Sequence, residues 1–339
     1  MILVTGATGL VGGNLLWYLL QENERVLAIR RSTSNMESLR RIFSYYTPKP
    51  EDYLARIDWE TGDVLDFNSI LNAMQKASIV YHCAAKVSLS SNETNLSDTN
   101  VLGTKNIVNA ALQSGVKKLC FVSSIAACGK AAFDKLIDEE SVWDENSPRS
   151  MYSQSKYDSE QEIWKGIKLG LNAVIVNPGV ILGISGNESG SSQLFAQVRK
   201  GLIFYINGGS GYVDVQDVVK AMIMLTKSEI SGERFVLVSE NCSNKEILNW
   251  MADGFNNRKP FIRIGKRMLL LIGWISEVFG KIFHFQPIID RRMARTATHR
   301  EYYSSQKIKD ALSFQFTPIQ KCITQICDFQ LQKQQRFNK

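Results

Sequence analysis

Histidine is scarce, with three in 339 residues. None is spaced with the cysteines as metal ligands are, which argues against a zinc site and leaves no metal to expect. The six cysteines (Cys83, Cys120, Cys128, Cys242, Cys322 and Cys327) contain no CxxC pair. Cys83, Cys120 and Cys128 lie in or beside apolar runs, which predicts buried, reduced thiols rather than a disulfide framework. No stretch reaches the roughly 18–20 uninterrupted apolar residues of a membrane-spanning helix. The amino terminus lacks the charged segment and apolar core of a secretory leader, so a cytoplasmic location is expected. Internal repeats and low-complexity tracts are absent as well.

The composition is that of an ordinary globular chain, 44% apolar and 22% charged. The net charge of +7 is uneven: residues 258–309 carry twelve Lys/Arg against Glu277, Asp290 and Glu301. A basic balance points to nucleic acid only alongside a recognisable binding module, and none is visible. A small-molecule partner is therefore expected.

Short apolar runs alternate with helix-period segments over the first two-thirds. Strands are predicted at Met1–Val4, Arg25–Ile29, Ile57–Thr61, Ile79–Cys83, Lys118–Val122 and Ala173–Val176. Helices are predicted at Gly12–Glu22, Ser69–Gln75, Asn100–Ser114 and Ser153–Lys168, with Gly115 and Gly170 as helix-ending glycines. Such alternation implies an α/β fold with a doubly wound parallel sheet of the Rossmann type. Further on, a helix is expected at about Gln193–Lys200, another at Gln216–Thr226 and a strand at Glu233–Val238. Residues 1–179 and 206–240 are assigned to the dinucleotide-binding unit. Residues 180–205 and 241–330 form a smaller, discontinuous, mainly helical substrate domain, and 331–339 a frayed tail.

The most specific motif is Thr5-Gly6-Ala7-Thr8-Gly9-Leu10-Val11-Gly12, placed between a strand and a helix. Gly6 permits a tight turn, Gly9 lets a pyrophosphate approach the backbone, and Gly12 lets the helix pack against the strand. The helix N-terminus, including Thr8, Leu10 and Val11, then offers N–H donors and a positive dipole end to the phosphates. Coenzyme choice is read at the end of the second strand. An acidic residue there would bind a ribose 2′-hydroxyl, but this chain has Arg30 and Arg31, a donor fork suited to a 2′-phosphate. NADP(H) is expected over NAD(H), which stays the alternative if the arginines are only solvated surface charges.

Tyr152 and Lys156, four residues apart, share a helix face. A free phenol, with a pKa of about 10, needs a neighbouring cation to ionise near neutrality. Lys156 is placed to provide one. Ser124, with Ser123 as its competitor, ends the fifth strand and precedes Tyr152 by 28 residues.

The Gly-x-x-Gly-x-x-Gly spacing, Gly62-Asp63-Val64, His82-Cys83-Ala84-Ala85, Asn100 to Asn106, Ser123-Ser124 and Tyr152-x-x-x-Lys156 together resemble the extended branch of the short-chain dehydrogenase/reductase superfamily. The pattern is most similar to its dihydroflavonol reductases and 3β-hydroxysteroid dehydrogenases. The resemblance implies that Asp63 and Val64 contact the adenine and that Ala84 and Ala85 line the coenzyme. It also implies that Pro178, Gly179 and Val180 cradle the nicotinamide amide. Ser124 would hold the substrate oxygen, with Gly129 completing a Ser-x-x-x-x-Gly pattern. Tyr152 would transfer the proton and Lys156 hold the nicotinamide ribose. Asn100 is either a helix N-cap or a support for a proton relay, and His82 is expected to be structural. A homodimer is also implied.

The substrate class divides the branch. Nucleotide-sugar enzymes commonly carry Arg where this chain has Asn177, and an Arg-Asp pair just before the Val-x-Asp-Val motif, where the stretch Gly208 to Val218 here has no arginine. A reductase of ketones or aldehydes, or a dehydrogenase of the alcohols, is therefore expected. The alternatives are a nucleotide-sugar epimerase or dehydratase with tightly held NAD, its phosphate met by Arg263, Arg291, Arg292 or Arg295, and a coenzyme-binding sensor without turnover. Lys86, Val87 and Ser88 are candidate pocket residues. The apolar segment Met268–Phe285, preceded by Lys266 and Arg267, reads as a buried helix of the substrate domain, with peripheral membrane contact as the other reading.

Overall fold

The structure is a computed structural model, and it describes residues 1–87, 98–131, 135–146, 150–186, 190–271 and 299–337. The chain runs β1 (Ile2–Thr5), α1 (Leu10–Glu22), β2 (Val26–Arg30), α2 (Met36–Tyr46), α3 (Pro50–Leu54), β3 (Ile57–Thr61), α4 (Phe67–Met74) and β4 (Ile79–His82). After a π-helical turn at Asp98–Leu102 come α5 (Gly103–Gln113), β5 (Lys118–Val122), a single 3-10 turn at Ile125–Ala127, α6 (Met151–Lys168), β6 (Ala173–Pro178) and β7 (Val180–Leu182). Then follow α7 (Ser191–Arg199), β8 (Phe204–Ile206), β9 (Gly209–Asp214), α8 (Val215–Lys227), β10 (Glu233–Leu237), β11 (Glu240–Ser243), α9 (Asn244–Gly254) and β12 (Ile262–Ile264). The last described helices are α10 (Gln306–Leu312) and α11 (Ile319–Phe337).

Seven strands form one parallel sheet in the order β10-β6-β5-β4-β1-β2-β3. The alternation of side chains along each strand feeds two cores. Val4, Ala28, Cys120, Val174 and Val176 pack under α1 and α8, whereas Leu3, Leu27, Leu119, Phe121 and Ile175 pack under α4, α5 and α6. Burial on both faces explains why the central strands read as continuous apolar runs. Strand order reverses between β1 and β4, so helices leave in opposite directions and a crevice opens at the strands' carboxyl ends.

A second sheet, β11-β9-β7, and a pair, β12-β8, lie outside the large one. A third apolar cluster unites Leu182, Phe195, Tyr212, Met251, Phe255, Ile323 and Cys327, drawn from segments more than a hundred residues apart.

Several expectations shift. The helix expected from Asn100 begins at Gly103. α2 was not anticipated, although Asn35 caps it and Leu39, Ile42 and Phe43 form its buried stripe. The expected frayed tail is helical through Phe337, and Leu331 packs on the third cluster. All six cysteines are free thiols. Among the described residues no helix is long and apolar enough to cross a membrane. Residues 266–271 are helical, and the remainder of the Met268–Phe285 segment lies outside the described residues.

Candidate active site

The glycine loop joins β1 to α1 at the reversal point. Gly6 has φ +67°, and a Cβ on it would meet the Ala84 nitrogen at 2.5 Å and the Cys83 carbonyl carbon at 2.6 Å. Only glycine fits, since the backbone is left-handed and lies flat against the end of β4. Gly9 is the N-cap of α1, its N–H donating to the Gly6 carbonyl at 3.0 Å. A Cβ on Gly12 would lie 2.3 Å from the Gly6 oxygen, so the helix rests directly on the loop. No side chain caps α1, which leaves its first N–H groups to point into the crevice. Thr8, Leu10 and Val11 are half-buried around this opening. A dinucleotide phosphate fits such a cradle of backbone donors.

At the end of β2, the Arg30 guanidinium lies over the Trp59 ring, 5.2 Å from its centroid, and Arg31 is exposed. The Asp63 carboxylate accepts from the Leu65 N–H at 3.0 Å, and Val64 is buried with its carbonyl held by Asn106 at 2.9 Å. Ala84 is half-buried and Ala85 exposed. The Gly179 N–H donates to the Leu237 carbonyl at 3.0 Å, between buried Pro178 and exposed Val180.

Ser124 and Tyr152 are brought together. Ser124 caps the 3-10 turn, accepting from the Ala126 N–H at 3.1 Å, and Ser153 of α6 donates to the Ala126 carbonyl, which brings the Tyr152 end of α6 to the Ser124 turn. Burial pushes the phenol up from its ordinary range, against the nearby Ser124 hydroxyl, which favours ionisation. Ser123 is spent elsewhere, donating to Glu160 Oε1 at 2.5 Å. The two serines differ in direction, since neighbours at a strand end face opposite sides. Gly129 is needed because a Cβ there would strike the Val142 carbonyl at 2.0 Å.

Lys156 follows one turn after Tyr152 and is buried. Its ammonium donates to the Val122 carbonyl at 2.8 Å and lies 5.1 Å from the Phe121 centroid. Burial pulls it down to about 8, against the opposing pull of the Glu160 carboxylate. Glu160 escaped the sequence reading. Its signal was there, since Tyr152, Lys156 and Glu160 recur at intervals of four on one face.

Asn100 does not cap a helix. It sits inside the π-helical turn, where its side chain accepts from the Lys86 N–H at 2.8 Å and donates to the Lys86 carbonyl at 3.0 Å and Ser155 Oγ at 3.0 Å. The turn swings its side chain inward, tying the segment after β4 to α6 beside Tyr152. Lys86 and Val87 are exposed, and Ser88 lies outside the described residues.

His82 is fully buried, with Nδ1 2.8 Å from Thr5 Oγ1 and Nε2 3.1 Å from Thr104 Oγ1. Thr104 Oγ1 gives its proton to the Asn100 carbonyl at 2.7 Å, so Nε2 must be the donor to Thr104 and Nδ1 the acceptor from Thr5. Burial lowers the ring to about 3, which keeps it neutral and structural.

A cavity of about 520 Å³, lined in part by Gly129, Trp143, Tyr157, Trp164, Glu139 and Lys307, includes none of Ser124, Tyr152 and Lys156.

A family model described as NAD dependent epimerase/dehydratase matches residues 2–237. The chain belongs to that family. Its relatives include a sterol demethylase protein B of Methylococcus capsulatus, 29% identical, covering 83% of this chain and 82% of that protein. A cinnamoyl-CoA reductase 1 of Petunia hybrida is 26% identical, covering 95% and 90%. The solved structure of a Thermus thermophilus UDP-glucose 4-epimerase in complex with NAD superposes with a TM-score of 0.70 at 20% identity, covering 96% of this chain and 97% of that one. That likeness shows the shared fold. The family thus spans reductases and epimerases on one Rossmann frame.

Proposed function

We propose that this member of the family is an NADP(H)-dependent reductase of a ketone or aldehyde, working through Ser124, Tyr152 and Lys156. The observation that carries this reading is the fastening of the Tyr152–Lys156 face of α6 to the end of β5, through Ser153 on the Ala126 carbonyl and Lys156 on the Val122 carbonyl, beside Ser124 and the glycine cradle. A nicotinamide held there would supply the hydride. Ser124 donates to the carbonyl oxygen of the substrate and aims it. The Tyr152 phenol, kept protonated by burial, gives its proton to that oxygen as the alcohol forms. Lys156 then supports the phenolate left behind and binds the ribose hydroxyls. Gly6, Gly9 and Gly12 bring the backbone to the pyrophosphate, and Asp63 and Val64 flank the adenine. Arg30 and Arg31 take the 2′-phosphate.

Reduction is favoured over sugar epimerisation by Asn177. Its amide is fully buried and donates to the Ser124 carbonyl at 3.0 Å and to Glu160, so this position offers no guanidinium to a diphosphate. Residues 180–205 and 241–330 are assigned to substrate binding, and Petunia cinnamoyl-CoA reductase supports a carbonyl substrate. The test is NADPH and NADH consumption against a panel of aldehydes and ketones, with Tyr152→Phe as control. Turnover that prefers NADPH and falls by about 10²–10⁴ in the variant, with coenzyme affinity kept, is expected. Conversion of nucleotide sugars without added coenzyme, and no carbonyl reduction, would overturn the reading.

A further inference from the structure

β8 and β12 form a parallel pair in which Phe204 stands beside Ile262, Tyr205 beside Arg263 and Ile206 beside Ile264. Side chains alternate along a strand, so Phe204, Ile262, Ile206 and Ile264 share one face and Tyr205 lies on the other. Tyr205 packs on the third apolar cluster. The first face therefore points outward, where Phe204 is 42% and Ile262 38% exposed. The N–H groups of Phe261 and Ile262 both donate to the Ile203 carbonyl at 3.0 Å, which brings two further exposed apolar residues, Ile203 and Phe261, to its rim. After a single residue, Gly265, comes the helical turn at residues 266–271. Leu269 is fully buried and anchors this turn, whereas Met268 is 55% and Leu271 49% exposed. A core helix would hide all three, so the turn lies at the surface with apolar side chains facing out.

Cations stand among these side chains. The Arg258 guanidinium lies over the Phe261 ring, 4.2 Å from its centroid, and Lys266 and Arg267 are exposed directly before Met268. Lys259 is neutralised by Asp253 at 2.9 Å, but among the described residues Arg258, Lys266 and Arg267 have no carboxylate partner.

We propose that this face docks on an anionic lipid bilayer. Phe204, Phe261, Ile262, Met268 and Leu271 enter the boundary between headgroups and acyl chains, and Arg258, Lys266 and Arg267 bind the lipid phosphates. Charge selects this occupant. Residues 258–309 carry twelve Lys/Arg against Glu277, Asp290 and Glu301. A surface of one continuous negative sign complements that excess, and an anionic leaflet presents one. A protein partner would instead need a carboxylate matched to each cation and a pocket for each aromatic ring, and its interface core would exclude lysine. Apolar tips between cations suit an interfacial segment, whose affinity comes from buried apolar area plus attraction to anionic lipid and requires no mate of fixed shape. The proposal goes beyond the reductase reading, since none of these residues belongs to the glycine loop or to the group of Ser124, Tyr152 and Lys156.

The experiment is co-sedimentation of the full chain with phosphatidylcholine vesicles, with and without phosphatidylglycerol, at low and at high salt. Binding should be about tenfold or more tighter with phosphatidylglycerol, and salt should weaken it without removing it. Arg258→Gln, Lys266→Gln and Arg267→Gln together should abolish the preference for the anionic vesicle. Phe204→Ser, Phe261→Ser and Met268→Ser together should lose the binding that survives high salt, because no apolar group is left to insert. Lys49→Gln, Lys117→Gln and Lys168→Gln together remove three exposed charges elsewhere and should bind as the original does. Urea midpoints should be unchanged in all three variants, since every altered side chain is exposed. Failure of the unaltered chain to sediment, equal binding with and without phosphatidylglycerol, an equal loss in the control variant, or an apolar variant that sediments like the original would each overturn the proposal. So would a dimer in free solution that the apolar variant converts to monomer while neither sediments, which assigns the face to a second copy. Should the apolar variant not fold, Phe261→Ser alone, at the more exposed ring, decides. Carbonyl turnover enters none of these readouts, so this proposal and the reductase reading fail separately.

Discussion

Adding one methyl group at Gly12 should weaken coenzyme binding far more than adding one at its neighbour Gly13. A Cβ on Gly12 would sit 2.3 Å from the Gly6 oxygen, 2.8 Å from the Gly6 carbonyl carbon and 3.0 Å from the Ala7 Cα, all backbone atoms. None of these can rotate aside. To restore ordinary contact, α1 and the loop must separate by about 1 Å, an overpacking cost of about 1–3 kcal/mol. The movement falls on the N–H groups that face the pyrophosphate, where each charge-assisted hydrogen bond contributes about 1.5–3 kcal/mol. Loss of one such bond corresponds to about a ten- to hundredfold weaker Kd. At Gly13 the added carbon would meet Ile42 Cδ1 at 2.7 Å and Leu39 Cδ1 at 3.2 Å, the far ends of flexible side chains of α2. Those can turn, so Gly13→Ala should cost about 1 kcal/mol of stability and leave the coenzyme Kd within twofold of its original value, about 0.4 kcal/mol. Fluorescence titration with NADPH and NADH, paired with urea unfolding, separates the two effects. The reasoning is refuted if Gly12→Ala binds coenzyme normally, or if Gly13→Ala loses affinity to the same extent.

Replacing both Arg30 and Arg31 with alanine should lower NADPH affinity by about tenfold or more while leaving NADH nearly unaffected, because only the 2′-phosphate loses charged donors. Equal losses for the two coenzymes would show that the arginines do not read the phosphate. Acid should destabilise the fold through His82. Its ring titrates at about 3 when folded and at about 6.5 when unfolded, so the unfolded chain gains a proton that the folded one refuses. The stabilisation is complete above pH 6.5 and declines as pH falls towards 3, by about 2 kcal/mol at pH 5. His82→Gln should flatten this decline, as urea midpoints at pH 7 and pH 5 would reveal; a gap between the two proteins that is the same at both pH values would refute it. Lys118 is buried with its ammonium on the Ser228 and Ile230 carbonyls. Lys118→Met should leave those carbonyls unpaired and cost about 1–3 kcal/mol, seen as a lower urea midpoint with coenzyme binding intact.

What the sequence determined by itself was local. The glycine loop declared itself because close backbone contact over seven residues excludes every other side chain at Gly6 and Gly12. Tyr152 and Lys156 were legible because a helix places every fourth residue on one face, and the parallel sheet because buried strands carry unbroken apolar runs. Tertiary structure decided what depends on partners from other strands. The orientation of Ser123 towards Glu160 and of Ser124 towards Tyr152 follows from where α6 lies across the end of β5. Asn100 acquired its role from a π-helical turn that brings its amide to Lys86 and Ser155, a geometry with no signature in residue type. Asn177 and Arg234 meet Glu160 only because β6 and β10 are neighbours in the sheet. Side-chain spacing is a property of one element and can be read along the chain, whereas a hydrogen bond between elements exists only once the sheet order has brought its donor and acceptor together.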